Sequence, residues 1–241
     1  MVSHGQSGLA GAFLEDLAGQ CAASVEVVLT QNIPEPEALP AQGQPYPLRL
    51  IRNDTPKGFG ANHNAAFAQS QGRWFCVANP DIRLRGDPFP ALVAALGADR
   101  TGVVAPRVVS PSGGVEDNAR RFPTLGSLLR KAITGRSEDT YPAAADVPFA
   151  ADWVAGMFML FDRDAFARVG GFDERFFLYY EDVDICARLR QAGYEVRVEP
   201  RATVIHDARR QSHRSPEYAK WHMASMARYL VRRYTGHYRP A

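Results

Sequence analysis

Glu181 and Asp182 are adjacent carboxylates that leave a block of aromatics and enter the start of a helix. The run reads Gly170-Gly171-Phe172-Asp173-Glu174-Arg175-Phe176-Phe177-Leu178-Tyr179-Tyr180-Glu181-Asp182-Val183-Asp184. Ile185, Cys186 and Leu189 follow Asp182 at helical spacing, which places Asp182 on their inward face. Glu181, Asp184 and Arg188 fall on another face, Asp184 and Arg188 as an ordinary surface pair. A carboxylate on the buried side of a helix, walled by Phe and Tyr, must be paired, metal-bound or used in proton transfer. Capping of the helix N-terminus, which acidic residues favour, is the competing reading.

Other groups with chemical potential sit where strands end. Asn79-Pro80-Asp81 follows the apolar run Trp74–Ala78. It is either a simple turn or a stiff mount for Asp81 beside a divalent cation, which takes one or two carboxylates plus diphosphate oxygens. His206 ends a β-branched run and is either structural or, with Asp81, part of a metal set. Asn53-Asp54-Thr55-Pro56-Lys57-Gly58-Phe59-Gly60-Ala61-Asn62-His63-Asn64 joins a strand to a helix. Its glycines permit close backbone approach, and the helix N-terminus favours an anion or polar ligand. It contains neither a dinucleotide fingerprint nor a phosphate loop.

The elements that must position these groups alternate. Helices are expected at Leu9–Ala18, Ala61–Gln69, Pro90–Leu96, Arg163–Arg168, Glu181–Gln191 and Pro216–Tyr234. Strands are expected at Val25–Leu29, Leu48–Ile51, Trp74–Ala78, Val103–Ala105, Glu195–Val198 and Thr203–Ile205. Such alternation implies an α/β fold with a mainly parallel central sheet flanked by helices, its ligand edge at the strand ends. Ile33–Pro47 is proline-rich loop, and Val108–Val115 a hairpin around Ser112-Gly113-Gly114. Asn118–Pro148 shows no firm period and reads as a helix or lid. In the last helix Trp221, Met223, Met226, Tyr229 and Leu230 are the expected contacts.

The 241 residues suffice for one large domain or two small ones, and a net charge of +2 gives no argument for nucleic acid. Cys21, Cys76 and Cys186 are widely spaced core residues, neither a disulfide framework nor a zinc site. No apolar run approaches a membrane span and no signal peptide is expected, which predicts a cytoplasmic protein. The C-terminal region is basic, through Arg201, Arg209, Arg210, Arg214, Lys220, Arg228, Arg232, Arg233 and Arg239. It is either a solvated face or a contact for anionic membrane or a phosphate-bearing substrate, so peripheral placement at the inner face of the cell membrane stays open. Arg120, Arg121, Arg130, Lys131 and Arg136 give the irregular middle a similar character.

The ordered set Asn53…Gly58-Phe59-Gly60-Ala61-Asn62-His63-Asn64, Asn79-Pro80-Asp81, Gly156-Met157-Phe158-Met159-Leu160, Gly170-Gly171-Phe172-Asp173-Glu174, Tyr180-Glu181-Asp182-Val183-Asp184 and His206 resembles family 2 glycosyltransferases, in particular their rhamnosyltransferase-like branch. The resemblance implies an inverting enzyme of the GT-A fold. Residues 1–215 would form one domain, with a nucleotide-binding half (1–106) and a smaller acceptor and catalytic half (107–215), before a basic C-terminal helix (216–241). It implies a nucleoside-diphosphate sugar donor, dTDP-rhamnose being one candidate. A saccharide or lipid-linked acceptor in bacterial surface polysaccharide synthesis follows, with Mg2+ or Mn2+ as cofactor. Asp182 would be the general base and Glu181 its partner. Asp81 and His206 would hold the metal. Val2, Ser3, His4, Asn32, Asn53, Gly58, Asn62, Asn79, Asp81 and Gly156 would line the donor site, and Trp153 would stack on an acceptor sugar. Members usually read the base with a carboxylate where this chain has Gln31-Asn32, whose amides can still hydrogen-bond a pyrimidine edge. A catalytically inactive sugar-nucleotide-binding or scaffold domain of the same fold is the alternative.

Overall fold

The computed structural model describes residues 1–21, 25–35, 43–97, 100–135, 139–141, 146–207 and 216–238. Arg136, Arg209, Arg210, Arg214 and Arg239, and parts of the expected loop and lid, lie outside them. Three strands, β1 (Val2–Ser3), β2 (Val27–Gln31) and β3 (Leu48–Arg52), form a parallel sheet in that order. Helix α1 (Ser7–Gln20) connects the first two. Helix α2 (Phe59–Gln69) then leads to β4 (Trp74–Ala78) and β5 (Ile82–Arg83), and α3 (Phe89–Leu96) to β6 (Thr101–Val109).

An excursion follows: β7 (Ala119–Arg120), α4 (Leu125–Thr134), β8 (Phe149–Ala150) and β9 (Trp153–Val154). The chain returns through β10 (Phe158–Asp162), α5 (Arg163–Arg168), α6 (Glu181–Gln191), β11 (Glu195–His206) and α7 (Pro216–Tyr234). The second sheet runs β4-β10-β6-β11-β5, with β8 also on β11, while β7 pairs with β9 apart from it. Strands β6 and β11 are parallel, but β10 runs against both β4 and β6. The central sheet is therefore mixed. The crossover rule governs strands joined through a helix, whereas β10 is reached from β9 through the short link Ala155-Gly156-Met157.

Side chains of the central strands alternate between two apolar layers. Val104, Val108, Phe158 and Leu160 face α1 and α3, among Phe13, Leu14, Leu17, Leu92 and Leu96. Val103, Ala105, Met159 and Phe161 face the opposite layer, with Phe166, Phe172, Ile185, Leu189 and Tyr229. Strands buried on both faces need near-continuous apolar runs, which is why β10 reads Phe-Met-Leu-Phe. The two strands expected near the C-terminus are one, β11, whose pairing with β6 shifts register between Glu199 and Thr203 around Pro200. A proline cannot donate to the ladder, so a strand that contains one bulges there.

Candidate active site

Strand β4 ends at Ala78, which pairs with Phe158 at the start of β10. The Asn79 N–H donates to Met157 O at 2.9 Å, and the Gly156 N–H donates to Asp182 Oδ2 at 3.0 Å. The Asn-Pro-Asp turn and the Asp182 carboxylate therefore flank the same short stretch of backbone. His206 closes β11 and pairs with Ile82, the residue after Asp81. Asp207 N–H donates to Asp81 O at 2.9 Å. Asp81, His206, Gly156 and Asp182 thus share one rim, at the ends of β4 and β11 and the beginning of β10.

Asp182 is half-buried, and both its oxygens are held: Oδ2 by Gly156 and Oδ1 by the Val183 N–H at 2.8 Å. Burial pushes its pKa above the ordinary aspartate value, while these N–H groups and Arg120 oppose that rise. Glu181 is buried at 5% exposure, and among the described residues its Oε2 has no hydrogen-bond partner. Burial, and then the Asp182 charge, drive its pKa well up. The environments separate the pair: Glu181 favours the neutral acid, and Asp182 is the one equipped to carry charge. Asp182 is not the N-cap of α6, a place Tyr180 holds without a side-chain cap bond; one of its oxygens takes a first-turn N–H, that of Val183, and the other turns away to Gly156.

Tyr179 and Tyr180 lead into α6 with φ of 69° and 66°, a region that costs non-glycine residues about 1–3 kcal/mol each. Helix α7 holds this bend. Ser225 Oγ donates to Leu178 O at 2.9 Å. His222 packs on both tyrosine rings, and Tyr229 stacks on Tyr180 with centroids 5.5 Å apart. Because α7 covers the side of α6 expected to face solvent, the surface pair Asp184–Arg188 is corrected. Asp184 is fully buried, bonded to Arg188 at 2.7 Å and Arg232 at 2.6 Å, and also to Tyr238. Glu181 is likewise inside rather than on an outer face. The basic character of α7 turns inward too: Arg232 also pairs with Asp173, Arg228 lies over Phe176 and Arg233 over Phe122. Met223, expected as a contact, is 57% exposed.

His206 Nε2 lies 3.3 Å from Asp81 Oδ2, and Nδ1 lies 2.7 Å from Glu116 Oε2. Burial opposes the imidazolium, but the two carboxylates outweigh it and raise the pKa to about 9. Among the described residues, Asp81 Oδ1 is buried without a hydrogen-bond partner. That orphaned oxygen is what a bound cation would satisfy; a divalent ion beside Asp81 would also displace the Nε2 proton of His206, so the pair fits an ion of oxygen and imidazole preference. Among the described residues no group of three or more His, Cys, Asp or Glu forms a complete cage. The ion's remaining ligands would come from diphosphate and water, the usual habit of magnesium.

The expected nucleotide side is braced by amides. Asn53 Nδ2 donates to Asn32 Oδ1 at 2.8 Å and to Asn62 Oδ1 at 2.7 Å. Asn32 donates to Lys57 O at 2.9 Å and accepts from Lys57 N–H at 2.9 Å. Asn62 donates to the same carbonyl at 3.1 Å. Asn32 and Asn62 are 5% and 1% exposed, so they set the loop while the half-buried Asn53 stands at its lip. His4 joins through Asn32 at 3.1 Å, and Val2 and Ser3 pair with Thr30 and Gln31.

Close backbone approach at Gly58 and Gly60 serves the fold. A Cβ on Gly58 would meet Phe177 O at 2.6 Å, and one on Gly60 would meet Phe172 Cβ at 2.8 Å. Gly156 does border the site, with a Cβ there 3.8 Å from Asp182 Oδ2. Trp153 departs from its expected role as an open stacking platform. It is 8% exposed, its Nε1 donates to Arg121 O at 2.9 Å, and Arg120 lies over its ring at 5.6 Å.

Sequence reasoning missed Glu116, and named Asn64 in a motif without its role. Glu116 reaches His206 because the hairpin at Ser110–Gly114 returns the chain beside β6, with Val115 bridged to Val109. Its only signal is an acid just after a glycine turn. Asn64 exchanges two hydrogen bonds with the Phe172 backbone, both 2.9 Å, which fixes the aromatic block against α2.

Residues 6–170 match the model of Glycosyl transferase family 2, and residues 143–213 that of the N-terminal domain of galactosyltransferase. The N-acetylglucosaminyl-diphospho-decaprenol L-rhamnosyltransferase of Mycobacterium tuberculosis is 32% identical, over 94% of this chain and 81% of its own length. Rhamnosyltransferase WbbL of Escherichia coli (strain K12) is 29% identical, over 73% and 71%. Among solved structures, the mannosyltransferase PcManGT from Pyrobaculum calidifontis in complex with GDP-Man and Mn2+ superposes with a TM-score of 0.65 at 16% identity. That match covers 95% of this chain and 62% of that one, and shows the shared fold.

Proposed function

The chain belongs to glycosyl transferase family 2, and from that premise we propose an inverting transfer of a sugar from a nucleoside-diphosphate donor to a hydroxyl of a lipid-linked or saccharide acceptor. The setting is bacterial surface polysaccharide assembly; two relatives are named rhamnosyltransferases, which supports rhamnose as the sugar, and dTDP-rhamnose is our candidate donor. The observation that carries this reading is Asp182, pinned through both oxygens beside the backbone that leads to Asp81.

Asp182 accepts the proton of the acceptor hydroxyl as that oxygen bonds to the anomeric carbon. The bond to the diphosphate breaks on the opposite face, and its electron pair leaves with the nucleoside diphosphate. Two of the carboxylate's acceptor positions are taken by Gly156 and Val183, which leaves others for the hydroxyl. Arg120 and the α6 N-terminus favour the ionised base. Neutral Glu181 lets one negative charge, rather than two, sit in the pocket. Asp81 and His206 are the residues that would hold a magnesium or manganese ion, which supplies Lewis-acid charge to a diphosphate. Asn53 and the loop pinned at Lys57 border the space for the nucleoside.

A panel of UDP-, GDP- and dTDP-sugars, incubated with manganese and a polyprenyl-diphosphate-linked N-acetylglucosamine, tests the reading by mass spectrometry. A glycosylated lipid from one donor class supports it. Nucleotide binding with no product from any donor would instead identify a non-catalytic binding domain.

A further inference from the structure

Helix α4 buries none of its side chains, although half of its residues are apolar. Leu125, Leu129 and Ile133 are 49%, 63% and 83% exposed. At about 100° per residue, Leu128, Ala132, Leu125, Leu129 and Ile133 fall within one arc of about 140°. Lys131 and Arg130 stand about 60° beyond its two edges. The helix has no acidic residue. An apolar stripe bordered by long cationic side chains is the pattern of a helix that lies in the interface plane of a bilayer, its cations reaching the headgroups.

The helix is well specified. Ser127 N–H donates to Thr124 Oγ1 and Thr124 N–H donates to Ser127 Oγ, both at 3.0 Å. Gly135, at φ 67°, ends it with its N–H on Lys131 O. So short a helix is marginal by itself, yet here both ends are fixed and, among the described residues, most of the apolar face is left uncovered, with only Leu128 half-buried. The stripe continues onto α7. Leu125 N–H donates to Tyr234 Oη at 3.2 Å, and Val231 and Tyr234 are 62% and 57% exposed.

We propose that the α4 stripe, extended by Val231 and Tyr234, docks the protein on an anionic lipid bilayer. A second copy of the chain would set one basic-bordered stripe against another, with repulsion at both edges. Anionic lipid complements those same cations. This places membrane contact on the apolar outer faces of α4 and α7, while Arg228, Arg232 and Arg233 of α7 turn to the protein. The inference rests on no step of sugar transfer.

Cosedimentation of the full chain with phosphatidylcholine vesicles, with and without phosphatidylglycerol, tests it. Binding is expected to be stronger with phosphatidylglycerol. Leu129→Ser/Ile133→Ser should weaken it by roughly tenfold or more, with an unchanged melting temperature because both side chains are exposed. Arg130→Glu/Lys131→Glu should remove the preference for phosphatidylglycerol. In Ile133→Trp the indole emission should be quenched by lipids brominated on the acyl chain. Wild-type protein that ignores phosphatidylglycerol vesicles, serine variants that bind as tightly as wild type, or an unquenched indole would overturn the proposal. So would a dimer in sedimentation velocity that the serine pair dissociates while vesicle binding persists.

Discussion

Asp182 answers two opposed demands: it must be buried enough to meet a hydroxyl away from bulk water, yet charged enough to take its proton. Burial raises its pKa and the N–H groups of Gly156 and Val183 hold that rise in check. A base works ionised, so transfer should be complete above the raised value and fall as pH drops through it. The acid limb of kcat/KM is therefore expected above the ordinary aspartate value of about 4, and a limb at or below that value would show that Asp182 is not the titrating base. Glu181 belongs to the same argument. If it is held as the neutral acid, Glu181→Gln keeps its shape and charge state, and transfer should stay within about threefold of wild type. A loss as large as that from removing Asp182 would mean that Glu181 works ionised. The sequence shows both acids, and helical spacing puts Asp182 inside and Glu181 outside; the structure buries Glu181 the more deeply, because α7, from far along the chain, covers that side of α6.

At the scale of elements, a strained bend launches the two acids and α7 clamps it. Arg232 bridges Asp173, before the bend, to Asp184, within α6. Removing one partner of a buried ion pair costs about 3–5 kcal/mol. Arg232→Met should lower stability by that amount in urea titration, with a further fall in kcat as the Tyr179-Tyr180 bend loosens. Stability within about 0.5 kcal/mol of wild type would remove the clamp from the account. Helices α5, α6 and α7 are legible residue for residue, because apolar periodicity and flanking breakers agree there. Helix α4 is harder to read. Its apolar residues have helical spacing, but among the described residues none of them is fully buried, and a pattern that serves no core looks irregular in a search for one. The β10 direction is equally hidden, since hydrophobic runs specify burial on two faces without specifying orientation.

For the whole molecule, the account depends on segments distant in sequence meeting at one rim: the turn after β4, the link before β10, the start of α6 and the end of β11. The ordered motifs made the participants legible, and the antiparallel entry of β10 supplies the contact that sequence could not show, Gly156 joined to Asp182 beside Asn79 and Met157. The most direct test is Asp182→Asn, assayed for product formation with the best donor of the panel and, by calorimetry, for nucleoside diphosphate binding in manganese. The account predicts a loss of turnover of roughly a hundredfold or more, with nucleotide affinity and melting temperature unchanged. An Asp182→Asn protein that turns over at the wild-type rate would contradict it.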